Sequence, residues 1–427
     1  MSEKDIIIVG GGIGSLTLGL TLYQIGLSCT IYEAVNKLEP RGVGINLLPN
    51  AVRELYELGI GAELLDEIGI TAREWALVGT RGQEIYSEPR GEFAGYKWPQ
   101  YAVHRGNFHM LLYKKFVSKA GQEAFVTGYR AKNYQKNTNG TVTVEFETSD
   151  GVEKRTADVL IGADGIHSAI RARMYPDQPP INWGGTLMWR GTSEAIPLRT
   201  DSSFVAVGNH RQRVVMYPIT RPDVGTGKSI INWIAEITYD DTSKYENMGW
   251  FKQSGYDDFL HYFKDWKHDW LDVPELIRSA DKIYENPMID RDPIPSWVDD
   301  NVALLGDAAH PMYPVGSNGA SQAIIDARVM CRKFLDFGLN ELALKEYDRT
   351  LCDPISSLVL INRGAGPAGL LNIVDERCGG DFDDIEEIVP EIERKNFMEK
   401  FKIAAGFARD KLNAAPSIIP SNAKMIQ

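Results

Sequence analysis

The chain opens with an apolar run that ends in three consecutive glycines, and this feature limits the possible folds more than any other. The run "DIIIVGGGIGS" places Gly10, Gly12 and Ser15 on a G-x-G-x-x-G frame, with serine in the third place. Apolar residues then recur at helical spacing up to Gly26, and "SCTIYEA" is typical of a second strand. Strand, glycine turn, helix and strand form a βαβ unit, so the sequence predicts a Rossmann-type domain.

The same glycine turn predicts a ligand. Gly10 permits the tight turn, Gly12 lets backbone N–H groups approach a pyrophosphate, and a small third residue lets the helix pack on the strand. The unpaired N–H groups and the dipole of the helix N-terminus favour a phosphate there. Glu33 ends the second strand, at the distance expected of an acceptor for a ribose hydroxyl. The predicted dinucleotide-binding residues of this unit are Gly10, Gly12, Ile13, Gly14, Ser15 and Glu33.

Composition limits the remaining possibilities. A chain of 427 residues is too long for one ordinary core, so we expect two packed domains. The net charge of −12 provides no basic field for nucleic acid or for an anionic membrane. The four cysteines fit no zinc or disulfide spacing, and neither a signal peptide nor a membrane span is evident. We therefore expect a cytoplasmic protein without a metal, a nucleic-acid partner or a membrane partner.

Two further glycine-containing turns follow apolar strands later in the chain. One lies in "DVLIGADGIHSAIR" and contains Asp164 and Gly165, and the other lies in "VALLGDAAHPMYPVGSNGASQAIIDA" and contains Gly306 and Asp307. Between them, residues 181–286 are rich in β-branched and aromatic residues, which predicts a mostly antiparallel sheet. A simple NAD-dependent dehydrogenase does not need the two extra turns, so they argue against that interpretation.

The predicted fold is α/β (α+β), with a β-rich substrate domain that interrupts a Rossmann-type domain and a helical segment at the C-terminus. The predicted boundaries are 1–75, 105–180 and 287–363 for the three parts of the Rossmann-type domain, 76–104 for a β-rich segment that contributes to the substrate domain, 181–286 for the substrate-binding sheet, and 364–427 for the C-terminal helices.

The order of the three motifs resembles the fingerprints of the group A FAD-dependent monooxygenases, the single-component aromatic hydroxylases. The stretches "RGVGINLLPNAV", "GGTLMWRG" and "NPMIDRDPIPSW" are similar to the salicylate hydroxylase-like subgroup, especially its phenazine carboxylate monooxygenases. The resemblance covers roughly residues 5–363. It implies FAD as the resident dinucleotide and NADH or NADPH as a transient reductant.

The resemblance also implies further contacts with FAD. Asp307 is expected to accept a hydrogen bond from a ribityl hydroxyl, and Asn318 and Gly319 to direct N–H groups at the N1/C2=O edge of the isoalloxazine. Pro314 and Gly316 are expected beside the ring. The other implied FAD-binding residues are Arg41, Val43, Gly44, Ile45, Arg105, Asp164, Gly165 and Gly306.

The reaction implied by the resemblance has two halves. NAD(P)H reduces the flavin, and a flavin C4a-hydroperoxide formed with O2 then transfers one oxygen atom to an electron-rich ring. The protein must hold the ring and exclude water. No side chain is assigned as catalytic, because the place of His310 in the third motif indicates a packed, structural histidine.

Two strand patterns predict a substrate pocket for a flat aromatic or heteroaromatic molecule. In "TLMWRG" and in "VVMYPIT", alternate residues share one face of a strand, and Arg190 is a candidate anchor for an anion. The predicted pocket residues are Met188, Arg190, Val215, Tyr217, Pro311 and Tyr313.

Other interpretations remain open at this point. A flavoprotein of the same fold, such as an antibiotic-inactivating monooxygenase, a halogenase or a reductase, is the main alternative. A halogenase usually shows W-x-W-x-I-P, and "INWIAEI" does not match it. Intact glycines in all three turns argue against a degenerate binding module. The acidic C-terminal helices are interpreted as a solvated, amphipathic cap on the domain rather than as a cover for the site or a dimer contact. The chain is expected to be a monomer or a homodimer.

Overall fold

The computed structural model describes residues 5–241 and 252–425. Its strands lie in the order that a Rossmann-type unit with inserted sheets requires. The strands are β1 (Ile6–Val9), β2 (Thr30–Glu33), β3 (Gly44–Leu47), β4 (Gly69–Thr71), β5 (Glu74–Val78), β6 (Glu84–Pro89), β7 (Tyr101–His104), β8 (Phe125–Thr127), β9 (Arg130–Lys136), β10 (Val142–Thr148), β11 (Gly151–Ala157), β12 (Val159–Gly162), β13 (Asn182–Ala195), β14 (Ser203–Gly208), β15 (Gln212–Pro218), β16 (Ser229–Thr238), β17 (Lys252–Ser254), β18 (Lys267–His268), β19 (Leu271–Asp272), β20 (Ile283–Asp290), β21 (Val298–Asp299) and β22 (Val302–Leu304).

The helices pack around these strands and also form most of the C-terminal segment. None of the described helices is long and apolar enough to cross a membrane. The helices are α1 (Ile13–Ile25), α2 (Pro49–Glu57), α3 (Ala62–Leu65), α4 (Arg105–Ala120), α5 (Ala169–Met174), α6 (Val273–Arg278), α7 (Gly319–Phe337), α8 (Glu341–Arg363), α9 (Gly369–Cys378), α10 (Ile385–Ile388), α11 (Glu391–Ala404) and α12 (Arg409–Ala414).

A six-stranded sheet forms the centre of the Rossmann-type part. Its order is β21-β22-β12-β1-β2-β8, and all neighbours except β21 and β22 are parallel. The residues of β1 are all buried, as its continuous apolar run requires for a strand covered on both faces. Strands β22, β12 and β1 are neighbours, so their carboxyl ends meet at one edge of the sheet. Each of these ends leads into one of the three glycine turns.

An eight-stranded sheet, ordered β17-β20-β13-β16-β15-β14-β5-β6, contains most of the predicted β-rich region. The segment 76–104 divides between two sheets, because β5 and β6 join this large sheet while β7 pairs with β3 and β4. The predicted α/β fold with its β-rich insertion and C-terminal helices is confirmed. The residue limits proposed for the domains remain a prediction.

The C-terminal helices bury an apolar face against the large sheet. Leu370, Leu371 and Met398 are buried in one cluster with Trp75 and Leu77 of β5. Pro367, Phe401 and Phe407 of the same segment line a cavity that the glycine turns also line. The apolar face of an amphipathic cap is thus packed on β5 and β6, and the segment also contributes Phe401 and Phe407 to the site described below, so it covers the site as well.

Candidate functional site

The three glycine turns pack directly against one another. A Cβ atom on Gly10, whose φ is +94°, would lie 2.4 Å from the carbonyl oxygen of Ala163 in the second turn. A Cβ atom on Gly14 would lie 2.6 Å from Leu305, which enters the third turn. Both positions need glycine because the neighbouring turn occupies the space of a side chain. Two glycines thus fix the first turn against the other two.

The Glu33 side chain stabilises the backbone of the first turn through hydrogen bonds. One carboxylate oxygen, Oε2, accepts a 2.6 Å hydrogen bond from the Gly11 N–H, and Oε1 accepts a 2.8 Å bond from the Val35 N–H. His109 Nε2 lies 2.6 Å from the carbonyl oxygen of Gly11 on the other side. The carboxylate of Glu33 therefore already orders the backbone of the turn, and its remaining lone pairs are the ones available to a ribose.

Asp164 presents an unpaired oxygen at the second turn. Its Oδ2 accepts a 2.7 Å hydrogen bond from the Ala169 N–H at the start of α5, while Oδ1 is buried without a hydrogen-bond partner among the described residues. Burial raises the pKa of this carboxyl. A buried acceptor that lacks a partner is costly, so this oxygen is suited to a hydroxyl donor from a ligand.

Asp307 and His310 have different surroundings in the third turn. The Asp307 side chain lines the cavity, and desolvation by the surrounding protein raises the pKa of its carboxyl. His310 is buried and its Nε2 lies 2.6 Å from Asp326 Oδ2. Burial disfavours the charged imidazole, but the charge and hydrogen bond of Asp326 outweigh burial and raise the pKa of His310. The structure therefore places His310 as a structural side chain outside the cavity lining, as the sequence predicts.

The turns open into a cavity of about 570 Å³ that extends beneath the large sheet. Helices α1 and α7 both point their N-termini at it, and neither has a side-chain hydrogen bond at its cap or an acidic residue in its first turn. A Cβ atom on Gly12 would meet nothing within 4 Å, because Gly12 faces this open space. Free N–H groups, a Cβ-free approach and the unpaired Asp164 oxygen together fit a dinucleotide with its pyrophosphate.

One face of the large sheet covers the cavity, and we call this face the roof. It consists of the lining residues Trp75, Arg190, Phe204, Ala206, Arg213, Val215, Tyr217, Ile234 and Glu236. Tyr217 and Phe204 stack with ring centroids 4.6 Å apart and planes 14° apart. Phe204 is in register with Trp75 on the next strand. Burial raises the pKa of Tyr217, so this side chain is a neutral phenol.

Most of the predicted site residues line this cavity. The lining contains Gly12, Ile13, Gly14, Ser15, Val43, Gly44, Ile45, Arg105, Asp164, Gly165, Gly306, Asp307, Pro314, Gly316 and Gly319 among those predicted for FAD, and Arg190, Val215 and Tyr217 among those predicted for the substrate.

Four residues predicted for FAD and three predicted for the substrate lie outside the lining. Gly10 is covered by the second turn, Glu33 lies behind the first turn, and the exposed Arg41 pairs with Glu39 at 2.9 Å. Asn318 is buried at the start of α7. Met188 packs with Met288 and Tyr313 in a small apolar cluster, the Tyr313 hydroxyl accepts a hydrogen bond from Asn182, and Pro311 does not border the cavity.

Sequence reasoning missed several lining residues. Trp75 and Arg90 come from β5 and the end of β6, which the sequence places about a hundred residues before the rest of the roof. Phe401 and Phe407 come from the C-terminal segment, which the sequence assigns to a cap. The alternation of apolar residues in the strands and their helical spacing in the C-terminal segment identify buried faces. No local signal in the sequence shows which other element packs against each face.

Comparisons with known proteins agree with this geometry. Residues 3–245 match the family model described as "FAD binding domain". The chain is 37% identical over 375 residues to a phenazine 1,6-dicarboxylic acid hydroxylase of Lysobacter antibioticus, covering 85% of this chain and 90% of that protein. It is 31% identical over 372 residues to 3-hydroxybenzoate 6-hydroxylase 1 of Aquipseudomonas alcaligenes, covering 84% of each.

A solved structure shares the whole fold. The urate-complexed HpxO of Klebsiella pneumoniae, which also contains FAD, superposes with a TM-score of 0.73 at 24% identity, covering 97% of this chain and 98% of that one. At this level of identity the likeness concerns the fold alone. The three converging turns, the cavity that they line and the matching family model define a flavoprotein oxidoreductase that uses FAD. The chain belongs to the FAD binding domain family and is a FAD-dependent monooxygenase of the aromatic hydroxylase group. These relatives favour a hydroxylase over a halogenase, a reductase or a simple dehydrogenase.

Proposed function

We propose that this enzyme uses NADH or NADPH and O2 to hydroxylate a flat, fused-ring heteroaromatic molecule. The observation that carries the proposal is that one continuous cavity joins the three glycine turns to the aromatic roof. The stacked pair of Phe204 and Tyr217, with Trp75 beside it, provides a planar apolar surface of the kind that binds extended rings. The relative from Lysobacter antibioticus, by its name, hydroxylates a phenazine, which is a ring system of this shape.

The residues of the turns would hold the cofactor. We propose that the N-termini of α1 and α7, Asp164 and Asp307 bind FAD, and that Arg105 faces it from α4. Bound FAD supplies hydride acceptance from the nicotinamide and activation of dioxygen for transfer of one oxygen atom to the ring. Glu33 would act by ordering the Gly11 N–H, and Arg41 has no place in the lining.

The apolar residues around the ring would exclude water. Phe401 lies against the loop that carries Gly316, since a Cβ atom on Gly316 would come within 2.6 Å of the Phe401 ring. Val315, Pro367 and Phe407 also contribute to this side of the cavity. A dry cavity limits the loss of reducing equivalents to hydrogen peroxide.

The test is NAD(P)H oxidation by FAD-loaded enzyme with phenazine, phenazine-1-carboxylate, phenazine-1,6-dicarboxylate, 3-hydroxybenzoate and urate. We expect a phenazine to stimulate oxidation at least tenfold and to yield a product with one added oxygen atom. Stimulation by a single-ring acid alone would contradict the fused-ring substrate. Equal, rapid oxidation without any aromatic compound would contradict a substrate-gated hydroxylase.

We also propose that the enzyme works in the cytoplasm as a monomer or homodimer. All four cysteines are free thiols in the structure, which suits a reducing compartment. Sedimentation of FAD-loaded protein measures the oligomeric state, and a species larger than a dimer would contradict the proposal.

A further inference from the structure

Glu236 on β16 has a carboxylate oxygen that the described part of the protein does not use. Its Oε2 accepts hydrogen bonds from Nε of Arg213, at 2.9 Å, and from Nη2 of the same guanidinium. Its Oε1 accepts none from the described residues, although the Glu236 side chain is only 7% exposed and lines the cavity. A buried acceptor without a hydrogen bond is unfavourable. Oε1 is therefore the oxygen available to a bound molecule.

Arg213 holds this carboxylate in place. The two residues lie directly opposite each other on the neighbouring strands β15 and β16, and two nitrogens of the guanidinium bond to a single oxygen of Glu236. A buried ion pair is often no more stabilising than an apolar pair of similar volume. Packing of the sheet therefore does not require a charged pair here. The property that the pair adds is a charged acceptor with a fixed orientation.

Apolar side chains of the roof lie beside the free oxygen. Ile234 is two residues before Glu236, so both side chains lie on the same face of β16, and Ile234 is in register with Val215 on β15. Ile234 and Val215 line the cavity together with Glu236. A ring that packs on these two apolar side chains would therefore have one edge beside the carboxylate.

Arg190 provides the opposite charge one strand away. It is in register with Ile234, so Arg190 and Glu236 are diagonal neighbours, and the Cα atoms of such a pair lie about 7 to 8 Å apart. Burial lowers the pKa of Arg190, and the charge of Glu236 is among the influences that oppose this effect. Even so, Arg190 Nε is buried without a partner among the described residues, and Nη2 contacts the Met188 sulfur at 3.8 Å. The roof thus presents a donor and an acceptor separately, and an anionic substituent is drawn to Arg190 and away from Glu236.

We infer that Glu236 is a specificity-determining residue, which accepts a hydrogen bond from a neutral hydroxyl or amino group on the ring of the substrate. Arg213 is the positioning residue that orients the carboxylate. The inference rests on the proposed function and adds to it one substituent of the substrate and the residue that recognises it. It excludes an anionic substituent at this position, because two negative charges would face each other inside the protein.

The test measures dissociation constants of FAD-loaded enzyme for 2-hydroxyphenazine, 2-aminophenazine and 2-methylphenazine by titration calorimetry. The three substituents are of similar size, but only the hydroxyl and amino groups donate a hydrogen bond. The amino group does not form an anion in this pH range. It therefore separates recognition by Glu236 from the binding of an ionised hydroxyl by Arg190.

The variant that removes the acceptor combines Arg213→Met with Glu236→Met. It replaces the ion pair by two apolar side chains and leaves neither partner behind. Arg213→Lys keeps the carboxylate and a counter-charge. The matched control combines Arg211→Met with Asp240→Met, because this ion pair lies beside the ends of the same two strands and its side chains are 57% and 81% exposed.

In the wild type we expect the hydroxyl and amino ligands each to bind about tenfold more tightly than the methyl ligand, or better. This ratio of dissociation constants should fall to about one in the double Met variant, because no acceptor remains. Arg213→Lys should retain most of the ratio, and the control variant should leave it unchanged.

Three outcomes would overturn the inference. One is equal binding of all three ligands by the wild type, and another is a ratio that survives in the double Met variant. The third is tight binding of the hydroxyl ligand alone, which would assign recognition to Arg190 and an ionised hydroxyl. The first and third need only the wild type, so the test does not depend on the folding of a variant.

The same ligands separate this inference from the proposed function. Stimulation of NAD(P)H oxidation by any of these phenazines would leave the proposed function standing, whatever the ratio of dissociation constants. Failure of every ring to stimulate oxidation would instead reject the proposed function.

Discussion

Two glycines in the first turn, two positions apart, have different reasons to lack a side chain. Gly10 has a positive φ and touches the second turn, whereas Gly12 has φ of −75° and faces the cavity. A side chain at Gly10 would therefore disturb the protein itself. A side chain at Gly12 would disturb only a ligand, since its backbone conformation is open to any residue.

This difference gives a paired prediction. Gly10→Ala should lower the free energy of unfolding of the cofactor-free protein by about 2 kcal/mol or more, because the new Cβ meets Ala163 and the backbone is strained. Gly12→Ala should leave the unfolding of the cofactor-free protein nearly unchanged and weaken FAD binding at least tenfold. Urea unfolding and flavin fluorescence titration measure the two effects. Equal destabilisation of the cofactor-free protein by both variants would contradict the prediction.

The pair formed by His310 and Asp326 predicts a pH dependence of stability. The pKa of His310 is raised in the folded protein, so its stabilising contribution is fully present below the unfolded pKa of about 6.5. It is lost as pH rises through the folded pKa. Asp326→Asn removes the anion and should cost about 3 kcal/mol at acidic pH.

The measurement is the difference in Tm between wild type and Asp326→Asn from pH 5 to pH 9. We expect the difference to be largest at pH 5 to 6 and to shrink as the pH rises past the folded pKa of His310. A difference that is constant across this range would contradict a pKa of His310 raised by Asp326.

Helix α11 forms part of the cavity wall, although it lies near the C-terminus. Phe401 contacts the loop beside Gly316, and Lys402 pairs with Glu88 on β6 at 2.7 Å. Burial raises the pKa of Glu88, but the charges of Arg90 and Lys402 outweigh burial and lower it overall, so this carboxylate is ionised. The helix is thereby tied to the large sheet by an apolar contact and by an ion pair.

We expect Phe401→Ala to open this side of the cavity to water. The substitution should lower the free energy of unfolding by about 3 kcal/mol and raise the fraction of NAD(P)H oxidised to hydrogen peroxide severalfold. Peroxide and product assays with a stimulating substrate measure that fraction. Phe337→Ala, at an exposed position on α7, is the matched control and should change neither quantity. An unchanged peroxide fraction in Phe401→Ala would show that α11 does not seal the cavity.

How far the sequence predicts the site depends on the kind of contact. The βαβ unit and the three turns were predictable, because their glycines and strand ends have local patterns. The roles of Glu33 and Arg41 were harder to predict, because each depends on a hydrogen-bond partner that the sequence pattern does not show. Trp75, Arg90 and Phe401 were missed because strand pairing and helix docking between distant segments bring them to the cavity.

Ile418 and Ile419, near the C-terminus, are bonded to the Rossmann-type part through a buried polar network. Arg328 is fully buried, donates a 3.0 Å hydrogen bond to Glu54 Oε2 and also donates to the carbonyl oxygen of Ile419. The Ile418 N–H donates a 2.9 Å bond to the other oxygen of Glu54. Residues 418–419 thus supply hydrogen bonds to the buried ion pair between Glu54 on α2 and Arg328 on α7.

Removal of residues 416–427 should therefore destabilise the enzyme as a whole. We expect a loss of about 3 to 5 kcal/mol in the free energy of unfolding, because a buried guanidinium loses an acceptor and the pocket of Ile419 empties. Urea unfolding of FAD-loaded protein measures this loss. Ser421→Ala is the control and should have no effect, since Ser421 contributes its backbone N–H at 2.8 Å from Glu57. Full stability in the shortened chain would contradict the role of the tail.

The contact of the first turn with Leu305 has a consequence for the order of events during synthesis. Strands β1 and β12 leave the ribosome well before β22, yet β22 forms the far side of β12 and leads into the third turn. A nascent chain that stops short of the third turn has neither Asp307 nor the N-terminus of α7 in place. The cofactor can therefore be retained only after about three quarters of the chain has been translated, so flavin loading is a late step in biogenesis rather than a nucleus for folding.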